Sequence, residues 1–224
     1  MPPVRFICLA NSNKMGGRCI AGVRLDGKGW IRPVGPGSSR ELSSKQYRLN
    51  DNSEPKLLDL LEVDLSRPVP EPHQPENFLI SKKRWRLVER PASTRYLKLL
   101  ESYLVPGPEL FGNPLDRVAQ DNFKETPAAS SLSLVQPQKL RWIIDDYEGK
   151  RRSRAFFELG RRHYNLAITD PWWKARMLSL PLGMHHLTGP GLKGDERILL
   201  TLSLGDPFEG FCYKLVAAII IMPT

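Results

Sequence analysis

The hydrophobic positions of this chain come in short runs broken by polar segments. Val4 to Ala10 and Cys19 to Leu25 are apolar and β-branched, and the polar, glycine-containing segment 11–18 separates them, which predicts two strands and a loop. Asp26-Gly27-Lys28-Gly29 is a tight-turn signal, and Trp30 to Val34 follows as a third strand whose Pro33 marks an edge or a strand end. These three strands read as a meander. Residues 35–56 are rich in Gly, Ser and Asn, with a weak helical stretch around Glu41 to Tyr47 that Ser38 or Ser39 would cap. Strand character returns at Leu57 to Leu65 and at Phe78 to Val88, where Trp85 and Leu87 alternate with Arg84 and Arg86.

Pro91 to Tyr103 is the strongest helix: Tyr96, Leu99, Leu100 and Tyr103 fall on one face, and Ser93 or Thr94 would cap it. Residues 105–138 carry five prolines and many small polar residues and read as a linker or long surface loop. A second meander is expected at Leu140 to Tyr147, Arg152 to Leu159 and His163 to Thr169. After it come a short helix in PWWKARML and two strands, Arg197 to Leu204 and Phe211 to Met222, on either side of the turn GDPFEG. Each half thus gives three strands, a connection with a weak helical signal, and two more strands, the order of a five-stranded OB barrel. The expected fold is mainly β with minor α. Two tandem five-stranded OB-like barrels are joined by a helix and a Pro/Ser-rich connection. Residues 1–104 form the first barrel with its packing helix, 105–138 the connection and 139–224 the second barrel. Ten strands closing into one larger barrel or sandwich is the alternative.

Composition narrows this further. Twenty prolines in 224 residues are nearly twice the usual share of about 5%, which disfavours a helical bundle. Cys8, Cys19 and Cys212 show neither CxxC spacing nor a partnering His cluster, so they read as reduced core thiols without a disulfide framework or zinc site. The N-terminal residues lack a signal-peptide pattern, and the longest apolar run, Leu215 to Met222, is far below the roughly 20 residues needed to span a bilayer. A soluble, cytoplasmic protein with no membrane partner is expected.

The formal charge is +9, unevenly spread. Residues 1–48 carry +7 and residues 139–176 carry +5, whereas 49–138 and 177–224 are at −2 and −1. Two basic regions on an acidic background point to a polyanionic partner, nucleic acid or a nucleotide. In the first region, Asn11, Ser12, Lys14, Gly16, Gly17 and Arg18 have the parts of an anion-binding loop. The glycines turn backbone N–H groups toward an oxyanion, and Arg18 can grip a phosphate bidentately. The spacing is neither a Walker A motif nor a dinucleotide fingerprint. The plain alternative is a hairpin loop whose glycines only permit the turn.

Together CLANSNKMGGRCIAG at 8–22, WIRPV at 30–34, QPEN at 74–77, ITDP at 168–171 and SLGDPFEGFCYKLVAAII at 203–220 resemble the prokaryotic dual OB-fold domain family. The resemblance implies tandem OB-like folds linked to nucleic-acid or nucleotide recognition in prokaryotic conflict systems, as a sensor or adaptor with an effector protein as possible partner. Its polar motif positions here add Trp30, Arg32, Asn77, Thr169 and Asp170 to the 11–18 segment, and it assigns none of them a role.

The second basic region interleaves cations with rings: Arg152, Arg154, Phe156, Phe157, Arg161, Tyr164, Trp172 and Trp173. Single-stranded nucleic acid is held by that combination, and Tyr164 and Trp173 are the preferred stacking rings, with core packing as the plain alternative. No catalytic constellation is evident. His185-His186 lacks a carboxylate at a useful spacing, and Asp145-Asp146 reads as a solvated turn. A non-catalytic nucleic-acid or nucleotide binding module, without cofactor or metal, is the leading expectation. A metal-dependent phosphodiesterase or nucleotide-processing enzyme using the 11–18 segment and Asp170 is the runner-up, and a protein-interaction scaffold the third.

Overall fold

In the computed structural model, which describes residues 2–90, 93–186, 192 and 196–222, strands joined by short turns dominate. β1 (Val4–Lys14) and β2 (Gly17–Arg24) form the first hairpin. Its turn is only Met15-Gly16, with φ of 44° and 82°, the left-handed geometry that matches the twist of the flanking strands. The segment 11–18, expected as a loop, is therefore mostly ladder: Asn11 pairs with Ile20, Ser12 with Cys19, Asn13 with Arg18 and Lys14 with Gly17. Polar residues hold a strand there because the second half of the molecule meets them with polar partners.

β3 (Trp30–Val34) completes the meander. α1 (Ser44–Tyr47) follows, and Gln46 Oε1 accepts from the Ser43 N–H at 2.8 Å, so Ser43 takes the cap position expected at Ser38 or Ser39. β4 (Leu60–Val63) and β5 (Leu65–Pro68) are two parts of one bent strand: β4 pairs with β1, and β5 pairs with β6 (Asn77–Ile80). Since β6 runs parallel to β3, the sheet closes on itself as a Greek-key OB barrel. β7 (Arg86–Glu89) adds to β4. The single strand expected over 78–88 is thus two, and the break between them lets Trp85 turn into the first core.

A 3-10 turn (Ser93–Tyr96) runs into α2 (Leu97–Ser102). Pro91 and the side chains of Ser93 and Thr94, the expected start and caps, lie outside the described residues. Within 105–138 the chain forms β8 (Arg117–Ala119), α3 (Asn122–Glu125) and β9 (Leu132–Val135). β9 and β10 (Gln138–Tyr147) are one strand interrupted at Gln136-Pro137, where proline supplies no ladder donor. β11 (Lys150–Leu159) and β12 (Arg162–Ile168) complete the second meander, and α4 (Pro171–Met177) follows it. β13 (Gly183–His185) edges β10, and residues 187–191 and 193–195 lie outside the described residues. β14 (Arg197–Phe208) and β15 (Phe211–Met222) turn at Glu209-Gly210. A register shift between Leu204 and Pro207 carries their ladder through the expected turn. β12 runs parallel to β15, and β14 takes β9, so the second barrel closes by the same circuit as the first.

Each barrel has its own core, around Phe6, Ile31, Leu61 and Trp85 in the first and Trp142, Phe157, Leu166 and Val216 in the second. A third apolar cluster joins them. Ile7, Leu9 and Val23 of the first barrel pack on Leu134, Leu199, Ile220 and Met222 of the second, and the helical stripe Tyr96, Leu99, Leu100 and Tyr103 packs against this seam. Each buried Leu or Ile there contributes about 1.5–3 kcal/mol. Among the described residues no helix is long and apolar enough to cross a membrane.

Candidate functional site

OB barrels take ligands across their second and third strands, between the loop joining strands one and two and the loop joining strands four and five. In the first barrel that surface lies inside the seam. Arg32 on β3 is 2% exposed, and its guanidinium donates to Glu76 Oε1 at 3.1 Å, Ser131 Oγ at 2.6 Å and Ser203 Oγ at 3.2 Å, the two serines coming from the second half of the chain. Trp30 meets Tyr103 edge to face at 6.0 Å. Lys14 reaches across to Asp206 at 2.9 Å. Burial alone would raise the Asp206 carboxyl, but Lys14 and the His73 ring 3.9 Å away outweigh it and hold it at about 2. Ser12 is buried and donates to Cys19 O, and Asn13 N–H donates to Thr169 O at 2.9 Å. A Cβ on Gly17 would lie 2.5 Å from Leu42 O, so that glycine serves a backbone contact within the first barrel, while Gly16 supplies the turn.

Much of the +7 region is consequently spent on ion pairs, most of them with carboxylates distant in sequence. Arg5, Lys14, Arg18, Arg24, Arg32 and Arg40 face Glu62, Asp206, Glu54, Asp26, Glu76 and Glu71. The corresponding surface of the second barrel is open. On β10, β11 and β12 the outward residues pair in rows: Asp145 with Arg152, Ile143 with Arg154 and Ala167, Arg141 with Phe156 and Asn165. β15 and β8 extend this surface with Tyr213 paired to Arg117. Cations and rings meet along it. Arg152 lies 4.6 Å from the Tyr147 ring centroid, Arg117 lies 4.7 Å from that of Phe211, and Tyr147 and Phe208 are 55% and 62% exposed. Arg152 donates to both oxygens of Asp145, which keeps that carboxyl below its ordinary range, and Arg154 donates to Asn165 Oδ1 at 2.8 Å. Among the described residues, the lysines and arginines of 139–176 that pair with carboxylates are Lys139, with Glu158, and Arg152.

The two rings preferred from sequence are core residues, a correction that follows from strand parity for Tyr164 and from the buried face of α4 for Trp173. Tyr164 is 2% exposed: it is the cross-strand partner of Phe157 on the inner face, stacks on it at 5.6 Å and donates its hydroxyl to Pro108 O at 2.7 Å. Trp173, also 2% exposed, stacks on Trp142 and donates Nε1–H to Ile219 O at 3.0 Å. Arg32 is likewise internal, and Trp30 is half-buried beside Tyr103. Arg161 is exposed, at the end of β11 away from the β10–β11 turn. Tyr147, Phe211, Tyr213 and Arg117 were missed. Strand parity would have aligned Arg152 and Arg154 with Phe156, but Arg117 sits in a stretch without a strand signal.

A cavity of about 740 Å³ opens at the seam, between Asn11, Arg18 and residues 54–58 of the first barrel and residues 170–173 and 219–221 of the second. Asp170 caps α4, accepting from Trp172 N at 3.0 Å and Trp173 N at 3.1 Å, and its other oxygen accepts from Ile219 N at 3.3 Å. Burial raises its carboxyl despite those bonds. Trp172 is 53% exposed at the cavity and carries Arg176 at 4.1 Å from its ring centroid.

Among the described residues no group of three or more His, Cys, Asp or Glu side chains converges as a metal site. Asp170, the acid of the enzyme reading, has both oxygens committed to backbone N–H groups. His185 faces Pro181 O at 2.8 Å, burial pushes the Cys8 thiol well above the ordinary thiol range and Cys212 up to about 11, and Cys19 accepts from Arg32.

The profile of the dual OB-containing domain family matches residues 4–219. No curated protein matches the sequence. Two solved structures are similar along the chain. One is the crystal structure of the tetrameric p202 HIN2, at 7% identity, with 99% of this chain and 93% of that chain covered and a TM-score of 0.32. The other is the structure of murine DNA binding protein bound with ds DNA, at 6% identity, with 100% of both chains covered and a TM-score of 0.32.

Proposed function

We propose, for a chain that belongs to the dual OB-containing domain family, a non-catalytic role in binding nucleic acid across the outer face of its second barrel. The observation that carries this reading is the open surface of β10, β11, β12, β15 and β8, on which Arg117, Arg141, Arg152 and Arg154 alternate with Tyr147, Phe156, Phe211 and Tyr213. Arginines that track phosphates beside rings that stack on bases are what an extended single strand requires. The turns at Glu148-Gly149 and Glu209-Gly210 border this surface, as the loops bordering an OB groove do. The Arg152–Asp145 pair is exposed and screened by solvent, so that carboxylate is readily exchanged for a phosphate. A sensor or adaptor role in a prokaryotic conflict system, with an effector protein as partner, is the finer proposal and rests on the family resemblance alone.

Titration of single- and double-stranded DNA and RNA at several salt concentrations tests the reading. Affinity should fall steeply with salt, and the Arg152→Ala/Arg154→Ala variant should bind more weakly with a shallower salt slope. Undetectable binding of all four polymers at low salt sinks it.

A further inference from the structure

We infer that the cavity between the barrels takes one neutral, flat, hydrogen-bonding ring, a single nucleobase, through Arg18 Nε–H and Asn11 Oδ1 and beside the Trp172 ring. Those two polar atoms are buried without a protein partner, and both residues line the same cavity. Other atoms of both side chains are held by the protein. Asn11 Nδ2 donates to Pro55 O at 2.9 Å, and the terminal nitrogens of Arg18 face Asn13 Oδ1 and Glu54. Arg18 Nε–H and Asn11 Oδ1 are thus a buried donor and a buried acceptor without a protein partner, and leaving either unmet is costly.

Charge decides the class of ligand. Arg18 and Lys56 line the cavity with Glu54 and Asp170, so the formal charges cancel, and both oxygens of Asp170 are already taken by backbone N–H groups. Neither a phosphate nor a metal ion is matched by that balance. The remaining walls are apolar, from Pro55, Leu57, Pro171 and Ile219, and the volume falls within the range of small-molecule sites. An apolar slot with a ring at its mouth and a donor and acceptor within it suits a heteroaromatic ring read along its hydrogen-bonding edge, as extruded bases are read. That the ring is a nucleobase rests on the nucleic-acid reading above. The base comes either from a free nucleoside or from a nucleotide extruded from a polymer.

Calorimetric titration with adenosine, guanosine, cytidine and uridine, at low and high salt, addresses the first source. A single strand carrying the fluorescent base 2-aminopurine addresses the second. Two variants accompany the wild type: Arg18→Lys, which keeps the charge and removes the Nε–H, and Ile221→Trp, which fills the cavity from an exposed position on β15. The expected result is binding of at least one nucleoside with an affinity insensitive to salt, weakened about tenfold or more in both variants. If no nucleoside binds but the 2-aminopurine signal responds to wild type and not to Ile221→Trp, the base is supplied by the polymer. Silence in both assays, or responses that survive Ile221→Trp, overturns the inference. Polymer binding that persists alongside such silence leaves the surface reading standing. Nucleoside binding without any polymer binding sinks the surface reading and leaves the cavity.

Discussion

On the first barrel, Trp30 and Arg32 occupy the outer surface of β3 and are covered by Tyr103, Ser131 and Ser203; on the second, the exposed Arg152 and the half-buried Arg154 and Phe156 occupy the equivalent surface of β11. The two barrels share a strand circuit, and their arginines differ in what meets them. Arg32 finds a carboxylate 44 residues away in sequence and two hydroxyls from the other barrel, whereas Arg154 donates to the neutral Asn165, with Asp145 and Asp116 acting on it through space. A basic region in the sequence therefore stays an accessible cationic surface only where the fold does not bury its arginines against acids, and the Arg152–Asp145 pair remains open to solvent.

The sharpest way to break this comparison is to truncate one arginine from each surface. Arg32→Ala strands Glu76 in the seam and should cost about 3–5 kcal/mol in a denaturant melt, whereas Arg152→Ala should leave the melt close to wild type. If Arg32→Ala lost less than about 1 kcal/mol, the buried cluster would not be holding the barrels together. Rings give the next contrast. Trp173→Ala removes a core indole and should cost about 3–5 kcal/mol of stability. Tyr147→Ala should leave the melt almost unchanged and weaken single-strand binding by about 1–3 kcal/mol; unchanged affinity would remove that ring from the interface.

A smaller effect separates the cross-barrel ion pair from the exposed one. The folded Asp206 carboxyl is depressed from 3.8 to about 2, so its contribution is fully present above pH 4 and is lost as pH falls from about 4 toward 2. Asp206 is over a third exposed, so screening leaves about 1 kcal/mol or less. Lys14→Met should flatten that limb of the stability curve, and an unaltered acid limb would show that Lys14 does not hold Asp206. The smallest effect belongs to Arg161→Ala, at the far end of β11. Stability and polymer affinity should both stay close to wild type, and a marked loss of binding would move the interface to the opposite end of the barrel.

The strand order of both barrels was legible because turn signals and apolar runs repeat in the same sequence twice. The seam was not. Polar residues at 11–18 read as a loop because nothing local shows that Thr169 and Asp206 will meet them. β8 and β9 were hidden in a proline-rich stretch, since three or four residues paired to a distant strand leave almost no periodicity. Tyr164 and Trp173 were drawn to function by their basic neighbours, although Tyr164 shares its strand face with Leu166 and Ile168, which are core. Arg18 was identified from its residue type beside two glycines, but the burial of its Nε without a partner is set by the fold and leaves no mark in the sequence.

The seam also sets the order of events as the chain is made. Leu9 accepts a hydrogen bond from Thr201, 192 residues downstream, and Ile7 and Leu9 are covered by Leu199 and Ile220. A nascent chain emerging from the ribosome can therefore close the first barrel while its apolar flank, including Ile7, Leu9 and Val23, still waits for β14 and β15. Until those strands emerge, that flank is an exposed hydrophobic surface and a natural client for a chaperone.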